Sequence, residues 1–303
     1  LPIFSYPMIW PTRYRPHALV RLAIWPLLIA FSISTTGCAA RIQSTLVSSL
    51  IKDVSTAAAR HDDPALIAAG LPTFLLVLEG LLEDNPRDKK MLLSAAEAYT
   101  TYAALIESDD PKRALRLYKR AKEYGTRALT PEQAALLQVP YPELAAAIGT
   151  FKPSDIAAVF WTASSWGAWI SANTASLAAL ADLPKVIDLM HWVIAQDETY
   201  HNGSAHLFLG VYHAALPPQL GGKPDLANHH FDRALAISQG RQLIFYVLKA
   251  KFYARQTFDR PLFENLLSQV LDSPPDAHPD FTLQNIAAQK QAQILLGQVD
   301  EYF

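Results

Sequence analysis

The 303-residue sequence contains one cysteine, Cys38, and only 12 glycines. A single cysteine forms neither an internal disulfide nor a zinc site built from several thiolates. The chain also lacks an excess of positive charge: 26 Lys and Arg residues stand against 28 Asp and Glu residues, and the net charge is -2. Nucleic-acid-binding domains usually have a basic patch and a high isoelectric point, so we expect no nucleic-acid partner.

The motifs of common catalytic sites are also missing. The sequence has neither the G-x-S-x-G nucleophile elbow nor the H-E-x-x-H zinc motif. Segment Leu220–Pro224 has two glycines and a lysine, but it lacks the spacing and the Ser or Thr of a phosphate-binding loop. We therefore predict that the protein is not an enzyme and has no cofactor and no metal site.

The first 37 residues have the pattern of a secretory signal peptide. Arg13, Arg15 and Arg21 form a positive region, and a short apolar run over residues 22–33 follows it. This run is shorter than the roughly 20 residues that a membrane-spanning helix needs. Gly37-Cys38 then resembles a bacterial lipobox, in which the cysteine is acylated and becomes the new N-terminus. We predict a signal peptide over residues 1–37 and lipidation at Cys38.

The predicted mature chain, residues 38–303, is a single domain anchored to a membrane through its N-terminal lipid. This places it on the periplasmic side of a Gram-negative membrane. Ala39 and Ala40 leave no acidic residue directly after the cysteine. By analogy with enteric lipoprotein sorting, this pattern favours the outer membrane.

Composition favours helices throughout the mature chain. Ala and Leu, the strongest helix formers, account for 88 of the 303 residues. No long run alternates between apolar and polar residues, and Asp-Pro and Ser-Pro clusters separate the apolar segments. We predict twelve helices, over residues 42–60, 64–84, 88–107, 111–128, 131–148, 153–181, 183–196, 202–215, 223–237, 240–256, 259–271 and 280–298.

A repeated pattern indicates how these helices are arranged. Ala114-x3-Tyr118-x2-Ala121 recurs as Ala227-x3-Phe231-x2-Ala234, at a constant offset of 113 residues. Small residues on paired helices with an aromatic residue between them are typical of tetratricopeptide repeats. The helices before the two copies are separated from them by more residues than the standard 34-residue unit allows. We therefore predict an all-α fold of stacked helical hairpins with degenerate tetratricopeptide-like (TPR-like) repeats, against the alternative of an Ala-rich helical bundle.

Histidine is concentrated in one part of the sequence. Six of the nine histidines lie between positions 191 and 230: His191, His201, His206, His213, His229 and His230. Helical zinc sites place two ligands four residues apart around a glutamate, and this spacing is absent. His213 also occupies an aromatic position of the repeat, which favours a packing role over metal binding.

The segment over residues 156–181 has no charge and contains three of the six tryptophans, Trp161, Trp166 and Trp169. Seven Ser, Thr and Asn side chains spread along it argue against a membrane span, so we expect a central helix or hairpin covered by neighbours. Trp161 and Trp166 should project on faces about 140° apart. These rings either fill the core and oligomer contacts or line an apolar cleft, since ligand pockets are mostly apolar.

Several blocks together resemble the T component of TRAP transporters, the TatT-like tetratricopeptide lipoproteins. The main block is DETYHNGSAHLFLGVYHAALPPQLGGKPDLANHHFDRAL over residues 197–235. Supporting blocks are LLEDNP (81–86), FWTASSWGAWI (160–170), FDRPLFENLLSQVLD (258–272) and LQNIAAQKQAQILL (283–296). The similarity extends over nearly the whole mature chain.

The resemblance implies a periplasmic lipoprotein that forms a homotrimer and docks the substrate-binding P component of the same transport system. It also implies that a hydrophobic or organic-acid ligand passes through an apolar cleft or pore. We expect the cleft to be lined by Trp161, Trp166, Trp169, Tyr200, His201, Asn202, Arg255 and Asn285. Two other functions stay open: a general TPR scaffold lipoprotein in cell-envelope assembly, and a periplasmic hydrolase, for which no catalytic pair is visible.

Overall fold

The computed structural model describes residues 49–216, 218 and 221–303. The predicted signal peptide and the lipidation site Cys38 lie outside the described residues. The described part is helical and contains no strand, which confirms the predicted all-α class. Residues 52–303 form one compact unit.

The described α-helices are numbered in chain order. They are α1 (Pro64–Asp84), α2 (Lys89–Ile106), α3 (Pro111–Arg127), α4 (Pro131–Leu136), α5 (Tyr141–Ala147), α6 (Ile156–Ser171), α7 (Leu177–Ala181), α8 (Leu183–Asp197), α9 (Ser204–Ala214), α10 (Pro224–Ser238), α11 (Ile244–Leu248), α12 (Arg260–Asp272), α13 (Thr282–Gly297) and α14 (Val299–Tyr302). A π-helical turn, Lys249–Ala254, continues α11, and a 3-10 turn, Tyr200–Gly203, precedes α9.

Aspartate and proline begin several helices as their order in the sequence predicts. The carboxylate of Asp63 accepts hydrogen bonds from the first backbone amides of α1, and Pro64 takes the first helical position, where no amide donor is needed. Asp110 and Pro111 begin α3 in the same way. Pro86 instead lies in a loop, and α2 begins three residues later, where Asp88 caps it.

Two predicted helices are each divided in the structure. The predicted helix over residues 131–148 forms α4 and α5, which are separated at Pro140, a residue without a backbone donor. The predicted segment over 153–181 forms α6 and α7. The hydroxyl of Ser176 accepts from the amide of Ala179 and caps α7, so polar residues at 173–176 favour a turn over a continuing helix.

Most of the packed helix pairs are adjacent in the sequence, and the pair α3–α6 is the main exception. α1 packs on α2, α2 on α3, α3 on α6, α9 on α10, and α12 on α13. The small and aromatic residues of both copies of the pattern are buried: Ala114, Tyr118, Ala121, Ala227, Phe231 and Ala234. These contacts agree with the hairpins expected from the sequence, while the TPR-like arrangement of the hairpins stays a prediction.

Helix α1 buries only one of its faces. Leu71, Leu75, Leu78 and Leu82 are buried, whereas Leu76 keeps 68% of its surface exposed. By length and composition α1 is the one helix among the described residues that meets the requirements for crossing a membrane. The same apolar composition occurs in helices that pack one face against a protein core.

The backbones of α3 and α6 approach each other closely at Gly125. A Cβ atom placed on Gly125 would lie 2.8 Å from the Thr162 hydroxyl oxygen and 2.9 Å from its backbone nitrogen and Cα. Backbone atoms of a buried helix cannot move aside as the end of a long side chain does. Glycine is therefore required at position 125 by the distance between the helices.

We predict that Gly125→Ala destabilises the protein by about 2 kcal/mol, because the new methyl group overlaps the α6 backbone. Gly70 in α1 is the matched control, since a Cβ atom there would meet nothing within 4 Å. Gly70→Ala should stabilise the protein by about 0.5 kcal/mol through helix propensity. Urea unfolding followed by circular dichroism measures both changes. Equal effects of the two substitutions would contradict the close approach.

Candidate ligand site

Four aromatic side chains meet where α6 faces the 3-10 turn before α9. We call Phe160, Trp161, Tyr200 and His201 the aromatic cluster. The ring centroids of Phe160 lie 5.2 Å from Trp161, 5.3 Å from Tyr200 and 4.9 Å from His201. The structure thus brings together three of the predicted cleft residues, namely Trp161, Tyr200 and His201. Such ring distances are within the range of favourable aromatic contacts.

An unusual backbone conformation holds the imidazole in this cluster. Three consecutive residues, His201, Asn202 and Gly203, have left-handed backbone angles, with φ of 48°, 58° and 80°. A left-handed conformation costs about 1–2 kcal/mol for an L-residue, and His and Asn tolerate it better than most. The Ser204 hydroxyl donates to the His201 carbonyl at 2.7 Å and lies 3.1 Å from Nδ1 of its ring. Strained residues of this kind cluster at ligand-binding sites.

The cluster is buried on its α6 side, where Phe160 and Trp161 lie, and reaches solvent on the side of the 3-10 turn, where Tyr200 is half-buried and His201 is exposed. His201 is exposed to solvent, yet surrounding protein atoms lower the pKa of its imidazole. Glu97 on α2 is also exposed, and burial among neighbouring atoms raises the pKa of its carboxyl group. Burial, followed by the negative charge of Glu97, raises the pKa of the Tyr200 phenol, so these two residues lie near each other. The groups of the cluster that a ligand can reach are therefore the half-buried Tyr200 and the exposed His201, with the exposed Glu97 nearby.

The two other predicted tryptophans lie on a different side of α6. Lys122 of α3 places its ammonium 3.5 Å from the ring centroid of Trp166 and 5.7 Å from that of Trp169. Burial lowers the pKa of Lys122 to about 8. Trp166 is only 1% exposed, and its indole nitrogen has no hydrogen-bond partner among the described residues. Trp166 therefore belongs to the α3–α6 core.

Arg255 and Asn285 lie elsewhere in the fold. The Arg255 guanidinium stacks on the Tyr302 ring, with its central carbon 3.7 Å from the centroid. Asn285 is buried; its side chain accepts from the Leu243 amide and donates to two backbone carbonyls. The structure does not bring either residue to the aromatic cluster.

The histidines pack against one another on α8, α9 and α10. Nδ1 of His206 lies 2.9 Å from Nδ1 of His230, so one nitrogen donates and the other accepts. The His213 ring stacks on His230 with centroids 5.7 Å apart. Glu198 lies 3.4 Å from Nε2 of His206 and pairs with Arg233. No group of three or more His, Cys, Asp and Glu side chains in the part of the chain that the structure describes is arranged to hold a metal ion.

The histidine pair is held in its neutral form. Burial, together with repulsion from the neighbouring histidines 206, 213, 229 and 191, lowers the pKa of His230 to about 4. Burial also lowers the pKa of His206, although Glu198 opposes this effect. Two protonated rings would each be a donor, and the Nδ1–Nδ1 hydrogen bond would then lose its acceptor.

A polar cavity of about 250 Å³ lies between α1 and α3. It is lined by Glu79, Leu82, Glu83, Pro86, Arg120, Tyr124 and Arg127. At one side of the cavity, Oε1 of Glu79 accepts from the hydroxyls of Tyr99 and Tyr124 at 2.7 and 2.9 Å and from the Arg120 guanidinium at 2.5 Å. Burial raises the pKa of Glu79, but these hydrogen bonds outweigh it and the net pKa is lowered.

The described residues define a helical protein of packed helix pairs with a buried aromatic cluster and a polar cavity. The chain belongs to the family of TRAP transporter T-components, whose model matches residues 60–303. No curated protein matches it. The resemblance found in the sequence blocks is thereby confirmed.

Two contributors to the candidate site were not among the predicted residues. Glu97 lies one residue after Ala95-Ala96 of the repeat pattern, and Phe160 is adjacent to Trp161. The signal that could have identified Glu97 is its charge, because its neighbours along α2 are Ala and Tyr residues. The ligand-binding role of the aromatic cluster stays a prediction.

We predict that stability falls as pH decreases from 7 to 5. The unfolded imidazole titrates near 6.5 and His230 in the fold near 4, so the unfolded state binds more protons between these values and acid favours unfolding. The loss expected from this one residue is about 2 kcal/mol. Urea unfolding at several pH values measures it.

Two variants isolate the histidine pair in this measurement. His230→Gln removes the titrating ring and should flatten the dependence of the unfolding free energy on pH. His278→Gln is the matched control, because His278 is exposed and lies away from the pair. An unchanged slope in His230→Gln would show that the neutral pair does not cause the loss.

Proposed function

We propose that this protein is a lipid-anchored periplasmic subunit of a TRAP transporter that scaffolds the substrate-binding P component. The observation that carries the proposal is membership of the T-component family, which extends over residues 60–303. That membership assigns an accessory role in a TRAP transporter, a role for which no enzymatic activity is expected. The homotrimer, the P-component contact and the anchor at Cys38 are the parts proposed here.

The paired helices support a scaffolding role. The pairs α2–α3 and α9–α10 use the same Ala-x3-aromatic-x2-Ala pattern, and all six of those residues are buried. Stacked pairs of this kind present extended surfaces on which partner proteins bind. We propose that the two pairs are degenerate TPR-like units of such a surface.

The aromatic cluster is the proposed ligand-binding part of the protein. Tyr200 supplies a half-buried ring that packs on the buried Phe160, while His201 and Glu97 supply hydrogen-bonding groups that are open to solvent. The charged residue near Tyr200 is Glu97, whose carboxylate raises the pKa of the Tyr200 phenol and would repel an anionic ligand. Of the two ligand classes expected, this arrangement favours a hydrophobic ligand over an organic anion.

The alternative function is that of a general TPR scaffold in cell-envelope assembly. Such a scaffold would also consist of packed helical pairs, but it would bind neither a P component nor a ligand at the aromatic cluster. Binding of the P component therefore separates the two functions.

We predict that the full chain, purified in detergent, forms a species of about three protomer masses and binds up to three copies of the P component from the same genome. Light scattering with correction for detergent measures both masses. The substrate-binding protein of an unrelated TRAP system is the control and should not bind. A chain that ignores its own P component would favour the envelope scaffold.

We predict that Tyr200→Ala weakens the binding of dodecanol, an uncharged apolar probe, about tenfold, because a partly exposed ring contributes apolar area and aromatic contact to the ligand. Quenching of tryptophan fluorescence measures the affinity. Tyr212→Ala is the matched control, since Tyr212 is similarly half-buried but stacks on His213. Equal affinity in the two variants would contradict binding at the aromatic cluster, and the circular dichroism spectrum checks that both fold.

A further inference from the structure

Positive charge is concentrated in a single helix of this protein. α3 contains seven of the chain's 26 Lys and Arg residues and one acidic residue, Glu123, within 17 residues. The helix thus contributes +6 to a chain whose net charge is -2, and the rest of the chain sums to -8. A cationic surface on an otherwise acidic protein attracts anionic partners over several ångströms.

Six of these basic residues lie on one exposed side of α3, which we call the cationic stripe. Its members are Lys112, Arg113, Arg116, Lys119, Arg120 and Arg127, and all are exposed. At 3.6 residues per turn their side chains fall within about 120° of the helix circumference. The opposite side holds the buried Ala114, Tyr118 and Ala121.

Most of the stripe has no carboxylate partner in the part of the chain that the structure describes. Arg120 pairs with Glu79, and Arg113 stacks on the Tyr102 ring at 5.2 Å. No ion pair to Lys112, Arg116, Lys119 or Arg127 is present among the described residues. Their positive charges are therefore available to an external partner.

The stripe continues into the polar cavity between α1 and α3. Arg120 and Arg127 line both, and both guanidinium groups lie over the Tyr124 ring, at 5.9 and 5.3 Å. Leu76 of α1, which is 68% exposed, lies on the same side of its helix as Glu83 at the cavity. The surface is thus concave as well as charged, and it has an apolar border.

We propose that the cationic stripe, together with this cavity, is the docking surface for an acidic face of the P component. The inference rests on the proposed function, and it names the surface that performs it. A cavity with an apolar border fits a protruding side chain of a protein partner, whereas a flat bilayer of anionic lipids would contact the stripe and leave the cavity unfilled. Carboxylates of the partner would pair with the cations of α3, chiefly Arg116 and Lys119.

The test is a charge reversal on the stripe in the full chain, purified in detergent. Arg116→Glu/Lys119→Glu should weaken P-component binding at least tenfold at about 50 mM salt, and the difference should shrink at about 0.5 M salt, where charges are screened. Lys52→Glu/Lys290→Glu is the matched control. It changes the net charge equally at two exposed lysines outside α3 and should bind like the wild type. Isothermal titration calorimetry gives the affinities.

The outcomes separate this inference from the proposed function. If the Arg116→Glu/Lys119→Glu variant binds the P component as tightly as the wild type does, the stripe is not the docking surface. The proposed P-component role would then remain. Absence of any wild-type binding overturns both. The full chain is also mixed with phosphatidylcholine vesicles that contain or lack phosphatidylglycerol. A response to phosphatidylglycerol that the reversal abolishes, with P-component binding unchanged, would assign the stripe to the membrane and overturn the inference.

Discussion

The architecture depends on the distance at which its helices pack. Gly125 lets the backbone of α3 come within contact distance of Thr162 on α6, and fully buried alanines lie on the packed faces of the pairs α2–α3 and α9–α10. Where two helices pack closely at small residues, no large side chain fits between them. The aromatic rings therefore lie beside the contact and fill the space at its edges. The position of every aromatic side chain on α6 follows from this spacing.

Helix α6 thereby connects two environments of different polarity. On one side Trp161 contacts His201 at the solvent-accessible cleft, and on the other Trp166 lies under the ammonium of Lys122. Most of the helix is buried. Because most of α6 is packed in the core, Phe160 and Trp161 are held more rigidly than they would be in a surface loop.

Local features were the most predictable from the sequence. Asp63-Pro64 and Asp110-Pro111 predicted the starts of two helices, because capping depends on neighbouring residues alone. The 140° separation of Trp161 and Trp166 follows from helical geometry, and the two rings do lie in different environments. The divisions at Pro140 and around Ser176 were missed, because apolar residues continue on both sides of each turn.

Long-range features were harder to predict. Arg255 and Asn285 are polar residues near apolar segments, a pattern typical of a cleft, but their contacts with Tyr302 and with backbone groups depend on the packing of distant helices. The left-handed angles of His201 and Asn202 had no sequence signal beyond the tolerance of those residue types. Glu97 acts on Tyr200 although the two residues are far apart in the sequence, so their proximity depends on the fold.

The carboxylate of Glu79 sets the register of α1. That helix is rich in leucine along most of its length, so a shift by one turn, about 5.4 Å, would bring different leucines to the core at little cost in buried area. Glu79 has no such freedom, because donors from α2 and α3 converge on one of its oxygens. A single polar contact thus distinguishes one alignment from its apolar alternatives. It also fixes which residues of α1 border the cavity, so the composition of that rim is decided by hydrogen bonding and not by hydrophobicity.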